Sequence, residues 1–216
     1  MKILIIGGTG VIGSKILNIL GNQEHDIKFT YLKNYYPSLD GKFLDITNKD
    51  STISLIKNIK PEIIINASSF TNMDLCETNK KIAYKTNVTG LENIVSGAKI
   101  FGSKIIQIST SAVFSGERSS YNEEDQTSPI SYYGLTKSIA EDIVKTSDLP
   151  YLILRTDQPY CWTEKWQHDN SVIRAIRILK KRMELNEIID WYNSPTYVPD
   201  FVNVLKILML EKANGV

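Results

Sequence analysis

The chain opens with KILIIGGTGVIGSKIL, an apolar run that meets three glycines spaced GxxGxxG and then continues at helical spacing. Residues 2–6 read as a buried strand, whereas Ile12, Ile16, Ile19 and Leu20 recur on one helical face. A tight turn must join them. Gly7 supplies backbone angles closed to other residues, Gly10 lets a ligand approach the main chain, and Gly13 lets helix and strand pack closely. The helix N-terminus then faces outward with free N–H groups and partial positive charge. That arrangement suits a diphosphate, so the first expectation is a dinucleotide cradle. An ordinary glycine turn is the alternative.

Composition narrows the class. At 216 residues the chain can bury a full core, and the length suits one domain with a smaller appendage. With 25 Lys plus Arg against 24 Asp plus Glu the net charge is +1, which points to neither nucleic acid nor an anionic membrane. No apolar run approaches the ~18 residues of a membrane span, and the N-terminus enters a strand instead of a signal sequence. A soluble, cytoplasmic protein is therefore expected. Cys76 and Cys161 are too few and too far apart for a disulfide framework or a metal site, and both read as reduced. His25 and His168 lack partners at ligand spacing, so no metal is expected.

Apolar runs at residues 2–6, 27–32, 63–66, 105–109 and 151–154 predict strands. Segments 50–57, 78–101 (with internal breaks) and 133–145 predict helices between them. The alternation is that of a doubly wound parallel α/β sheet, a Rossmann-like domain over residues 1–155. Ligands of such sheets sit outside the carboxyl ends of the strands, which places Gly7, Asn66, Ser109 and Thr110 on one rim. After residue 155 the character changes: DQPYCWTEKWQHDN carries two tryptophans and no clear period. A helical stretch with Arg174, Arg177, Lys180, Lys181 and Arg182 follows. Residues 156–216 read as elements of a second, substrate-side lobe. Its inward stripe is expected at Ile173, Ile176, Leu179 and Met183, with the basic residues as a solvated face or a diphosphate contact.

Tyr133 and Lys137 stand four residues apart in SYYGLTKSIAED, so a helix projects both from one face. A tyrosine that gives a proton to a carbonyl must tolerate phenolate character, whereas its free pKa is about 10. Lowering that value by about three units takes roughly 4 kcal/mol. An ammonium at about 5 Å supplies roughly 3 kcal/mol at an effective dielectric near 20, so Lys137 is expected to do most of the tuning. The pair follows the strand ending IIQISTSAVFSG, whose edge hydroxyl can bind the carbonyl oxygen that Tyr133 protonates. Thr110 is the expected hydroxyl, with Ser109 and Ser111 as competitors; hydrogen bonding at a strand end is the plainer reading of the run.

These residues together resemble the extended short-chain dehydrogenase/reductase superfamily, and within it the dTDP-4-dehydrorhamnose reductase family. The resemblance runs over nearly the whole chain: GGTGVIG, PEIIINASSFTNMDLCETNKKIAYKTNVTG, ISTSAVFSG, YNEEDQTSP, YYGLTKSIAE and WYNSPTYVPDFV each match a family segment. It implies a catalytic trio of Thr110, Tyr133 and Lys137, with Lys137 also holding the nicotinamide ribose. Gly7, Thr9, Gly10, Val11, Ile12 and Gly13 would line the pyrophosphate, and Asp45 and Ile46 would lie near the adenine. Asn66, Ala67 and Ser68 would pass beside the cofactor's ribose and phosphates, with Asn87 on the helix behind the site in a structural or catalytic role. The implied reaction is hydride transfer from a reduced nicotinamide to the 4-keto carbon of a nucleotide-linked 6-deoxysugar. The resemblance leaves a homodimer open.

About 20 residues beyond the glycine turn, where an NAD enzyme often carries an acid, this chain has Leu32, Lys33 and Asn34. Lys33 can pair with a 2′-phosphate, so NADP(H) is the expected cofactor, with NAD(H) open. Three departures bear on substrate. STSAVF stands where the family usually reads STDYVF, so Ser111 and Ala112 replace an acid and an aromatic. Trp162 and Trp166 enter a region that commonly walls the substrate, where they either stack on a base or sugar or fill the lobe's own core. The chain ends at EKANGV, where relatives usually continue, so a minimal or shortened lobe is expected. A non-catalytic nucleotide-binding subunit, resembling the regulatory subunit of methionine adenosyltransferase, and a sugar-nucleotide epimerase or dehydratase are the alternatives.

Overall fold

Alternate side chains of β1 (Lys2–Ile6) point into two separate cores: Ile3 and Ile5 into one, Leu4 and Ile6 into the other. A strand apolar on both faces must lie in the middle of a layered structure. The computed structural model describes residues 1–21, 25–34, 40–190 and 192–216, and it bears this out. With β2 (Asp26–Tyr31), β3 (Lys42–Phe43), β4 (Ile63–Asn66), β5 (Lys104–Thr110) and β6 (Tyr151–Thr156), β1 forms a parallel sheet in the order β3-β2-β1-β4-β5-β6. The order reverses between β1 and β4, which opens a crevice at the carboxyl ends of those two strands.

One face of the sheet carries α1 (Val11–Leu20) and α8 (Val198–Leu210), whose Ile16, Leu20, Val202, Leu205 and Met209 are buried against Ile3, Ile65 and Ile106. The other face carries α2 (Lys49–Ile59), α5 (Gly90–Lys99) and α6 (Tyr132–Lys145), with Ile56, Ile94 and Val144 against Leu4, Ile64 and Ile105. The chain thus returns to the sheet late. Past α8, Gly215 pairs with β6, donating to the Tyr151 carbonyl at 3.1 Å and accepting from Ile153 N at 2.9 Å.

The helical segment expected at 78–101, with internal breaks, is a relay of pieces. A short α3 (Met73–Thr78) and α4 (Lys80–Tyr84) lead into a π-helical turn, Lys85–Thr89, and then α5. No helix among the described residues is long and apolar enough to cross a membrane. Trp191, the first residue of the WYNSPTYVPDFV segment, lies outside the described residues.

The expected stripe on α7 (Ser171–Lys180) needs correction. Ile173 is buried and Ile176 half-buried, but Leu179 and Met183 are each 58% exposed. The helix ends at Lys180, and Arg182 takes a left-handed backbone angle, φ 55°, so the chain turns away before Met183 can follow the stripe. The five basic residues are exposed as expected, with Arg177 paired to Asp169 at 2.6 Å and Arg174 to Glu187.

Candidate active site

The glycine turn lies against the end of β4. Gly7 has φ 79°, and a Cβ there would sit 3.0 Å from the Ser68 backbone, so this position requires glycine. A Cβ on Gly13 would come within 2.2 Å of the Gly7 carbonyl oxygen, which explains the third glycine as a packing requirement. Gly10 differs: a Cβ there would meet only Gly7 O, at 3.3 Å, with nothing else within 4 Å of it. Gly10 is also the N-cap of α1, with no side-chain cap bond and no acid in the first turn. Val11 and Ile12 therefore begin a helix whose end accepts an anion. An open backbone, an uncapped helix and an absence of acid fit a dinucleotide pyrophosphate.

The neighbouring strands complete the rim. Asn66 is buried, donating from Nδ2 to Gln107 at 2.9 Å and accepting from Ser68 Oγ at 2.6 Å, so it holds the Ala67–Ser68 backbone beside the turn. Gly7 N and Gly8 N bond Thr30 of β2, at 3.3 Å to its hydroxyl and 2.8 Å to its carbonyl. Thr9 is buried in the turn. Lys33 is exposed just past β2, and Asp45 follows β3, accepting from Thr47 N at 2.9 Å. Ile46 is buried, and its side chain packs where a Cβ on Gly90 would sit, so it faces the core between strand and helix.

The trio meets at the end of β5. A Cβ on Gly134 would fall 2.1 Å from the Ala112 carbonyl oxygen, so the start of α6 is pressed onto the short 3-10 turn Ser111–Val113 that follows Thr110. Ser131 caps that helix by accepting from Gly134 N at 3.0 Å. The result brings the Tyr133 hydroxyl beside the side chains of Thr110 and Ser69, both of which act to lower its pKa. Of the competing hydroxyls, Ser109 is committed elsewhere, donating to Glu141 at 2.6 Å. Ser69, which sequence reasoning missed, is held by a 3.0 Å bond to Asn87 Oδ1. Asn87 also accepts from Phe70 N at 2.7 Å and donates to Phe70 O at 3.1 Å and Thr136 Oγ1 at 3.0 Å. Those bonds consume its amide, so Asn87 orders the loop after β4, and the π-helical turn is what aims it inward.

Lys137 is buried one turn beyond Tyr133, with Nζ donating to the Ile108 carbonyl at 2.7 Å. Burial pushes its pKa down to about 8, with the Glu141 charge pulling it back up. The expected lowering of Tyr133 by Lys137 is not what the structure shows. Burial raises the phenol to about 12, against hydrogen bonds from Thr110 and Ser69 that lower it. The phenol is therefore fully protonated at neutral pH.

Beneath the trio, the fully buried Glu141 receives Arg155 through two bonds, 2.9 and 2.7 Å, and Lys145 at 3.2 Å. Burial pushes the Glu141 carboxyl up, but the bonds from Arg155 and Ser109 and the charges of Arg155 and Lys145 outweigh it, leaving it below the ordinary value. A depressed folded-state pKa contributes stability above the unfolded value of about 4.3, lost as pH falls through the folded value. Glu141→Gln is accordingly expected to cost about 3 kcal/mol at pH 7 in urea unfolding, with the gap to wild type closing below about pH 4. A loss under about 1 kcal/mol at pH 7 would contradict the assignment of this carboxylate as a paired, structural charge.

Residues 1–216 match the family described as RmlD substrate binding domain. The chain belongs to this family. Among RmlD-family relatives, it is 34% identical over 213 residues to the dTDP-4-dehydrorhamnose reductase of Aggregatibacter actinomycetemcomitans, covering 98% of this chain and 68% of that protein. Identity to the Escherichia coli K12 protein of the same name is 30% over 197 residues, 91% of this chain and 62% of the relative. The chain thus spans about two thirds of the length of these RmlD-family proteins. The crystal structure of the Bacillus anthracis dTDP-4-dehydrorhamnose reductase in complex with NADP superposes with a TM-score of 0.87 at 31% identity, over 99% of this chain and 72% of that one.

Against this RmlD-type frame the tryptophans stand out. Neither fills a lobe core, as the packing alternative expected. Trp162 is 69% exposed, beside an apolar groove of about 140 Å³ lined by Tyr160, Val172, Ile176 and Tyr197. Trp166 instead reaches the glycine turn, its indole N–H donating to Thr9 O at 3.2 Å. A charged, aperiodic loop carries no sequence pattern that signals either placement.

Proposed function

We propose that this chain carries an NADP(H)-dependent reductase acting on a dTDP-linked 4-keto-6-deoxysugar, with Thr110, Tyr133 and Lys137 as catalytic residues. The observation that carries the reading is the Tyr133 hydroxyl beside Thr110, whose side chain acts to lower its pKa, at the carboxyl end of β5, with a buried Lys137 one turn on. Support comes from the names of the relatives and from NADP in the Bacillus anthracis structure. Bound at the glycine turn, the nicotinamide would supply a hydride to the sugar's C4. Gly7, Thr9, Gly10, Val11, Ile12 and Gly13 would hold its pyrophosphate, with Asn66, Ala67 and Ser68 beside it, Asp45 and Ile46 towards the adenine and Lys33 towards a 2′-phosphate.

The residues then divide the work. Thr110 Oγ1 and Tyr133 Oη converge where the carbonyl oxygen would sit, and both can donate to it as negative charge builds. An alkoxide has a conjugate acid near the ~15.7 of bulk water, so a phenol at about 12 gives up its proton downhill. The raised pKa of Tyr133 thus suits reduction, in which the tyrosine starts protonated. Lys137 would hold the nicotinamide ribose and offset the charge left on the phenolate. We further propose that residues 1–155 form the cofactor domain and residues 156–216 supply the substrate-side elements, α8 among them closing one face of the sheet.

The test is NADPH oxidation with dTDP-4-dehydrorhamnose, for which turnover is expected, faster with NADPH than with NADH. Tight NADPH binding without turnover across a panel of dTDP- and UDP-linked 4-keto sugars would overturn the reductase reading in favour of a non-catalytic nucleotide-binding subunit.

A further inference from the structure

A turn from the distant C-terminal segment is fastened across the glycine cradle. Gln167 Oε1 accepts from Glu164 N at 3.0 Å, which fixes the amide so that its NH2 points away from the turn. That group, Nε2, donates to Thr9 O at 3.1 Å, Gly10 O at 3.1 Å and Ser14 Oγ at 2.9 Å. Trp166 adds its indole bond to Thr9 O, and its own carbonyl accepts from Asn34 Nδ2 at 3.4 Å. Residues 164–167 therefore bridge the first strand-to-helix turn and the segment just past β2.

Two features give this bridge a use. Its bonds to the turn go to carbonyls and one hydroxyl, leaving the N–H groups that open α1 available to an anion. The interval it spans, from Thr9 to Asn34 beside Lys33, is where this architecture seats the adenosine ribose of a dinucleotide. We propose that residues 164–167 are a clasp on the adenosine-ribose end of the dinucleotide site, with Trp166 as its outer wall and Gln167 as its fastening. The clasp rests on the dinucleotide reading above and adds to it two residues from the opposite lobe. A loop that closes over a bound molecule acts mainly on its escape, so the effect belongs in the dissociation rate.

The experiment measures NADPH binding and dissociation by stopped-flow fluorescence and titration calorimetry for the full chain and for Gln167→Ala and Trp166→Phe. Each variant is expected to release NADPH about tenfold faster, with unfolding midpoints unchanged. Trp166→Phe keeps an aromatic ring but loses the indole N–H and the second ring of the wall, so it serves if Gln167→Ala perturbs folding. Wild-type binding with dissociation unchanged in a folded variant overturns the clasp alone, as does slower release, which would make the turn an obstruction. No NADPH binding by the wild type overturns the dinucleotide reading and the clasp with it.

Discussion

Tyr133→Phe is expected to lower turnover about 1,000-fold while leaving the NADPH dissociation constant within a few-fold of wild type. The substitution removes one oxygen and nothing else from a side chain packed at the head of α6. General acid catalysis contributes roughly 100- to 10,000-fold, and Thr110 remains to polarise the carbonyl, so residual activity should be low but measurable. Ser69, which neighbours the lost hydroxyl, keeps its 3.0 Å bond to Asn87, so the loop after β4 stays ordered. Steady-state kinetics alongside calorimetric NADPH binding separates the two quantities. Unimpaired turnover in this variant would remove the tyrosine from the chemistry.

Lys137→Met should cost about 100- to 1,000-fold in turnover and also weaken NADPH, because in the proposed mechanism the ammonium both neutralises charge at the phenol and binds the ribose. Stability should respond the other way. Burial holds the lysine down at about 8, so below that pH the folded chain bears the cost of a buried cation, and the cost is relieved as pH rises towards the unfolded value near 10.4. Replacing it with an apolar side chain of similar length is expected to leave the unfolding midpoint at pH 7 unchanged or raised. Wild-type turnover should fall above about pH 8 as Lys137 loses its proton, and the residual activity of the variant should lack that limb. A variant that loses activity only by losing its fold would contradict the role.

How much of this was legible in the sequence depends on the range of the forces involved. β1, the glycine turn and α1 were readable because local periodicity and backbone sterics determine them, and Gly7 and Gly13 take the conformation and the close contact expected of them. β3 was not, since Lys42–Phe43 is two exposed residues on the sheet edge with no buried face to leave a pattern. Breaks within 78–101 were expected but not their positions; at the π-helical turn Asn87 bonds the Phe70 backbone across 17 residues, a contact no helical period encodes. α8 was visible only as part of a family segment, although Pro199 near its start and Val202, Leu205 and Met209 on one face mark it as a helix. In the site, the spacing of Tyr133 and Lys137 foretold their shared helix face, but not that burial would raise the phenol and lower the amine. That outcome depends on what α6 packs against. The clasp lies furthest from prediction, because Gln167 and Thr9 are 158 residues apart and neither belongs to a repeating pattern.

Deuterium transfer tests the central claim most directly. With NADPH deuterated on the transferring face of the nicotinamide and dTDP-4-dehydrorhamnose as substrate, mass spectrometry of the product should find one deuterium, located at the sugar's C4, with the amount of labelled product reduced about 1,000-fold when Tyr133→Phe replaces the wild type over the same interval. Consumption of substrate without label at C4, or no consumption while NADPH is bound, would contradict hydride transfer by this site.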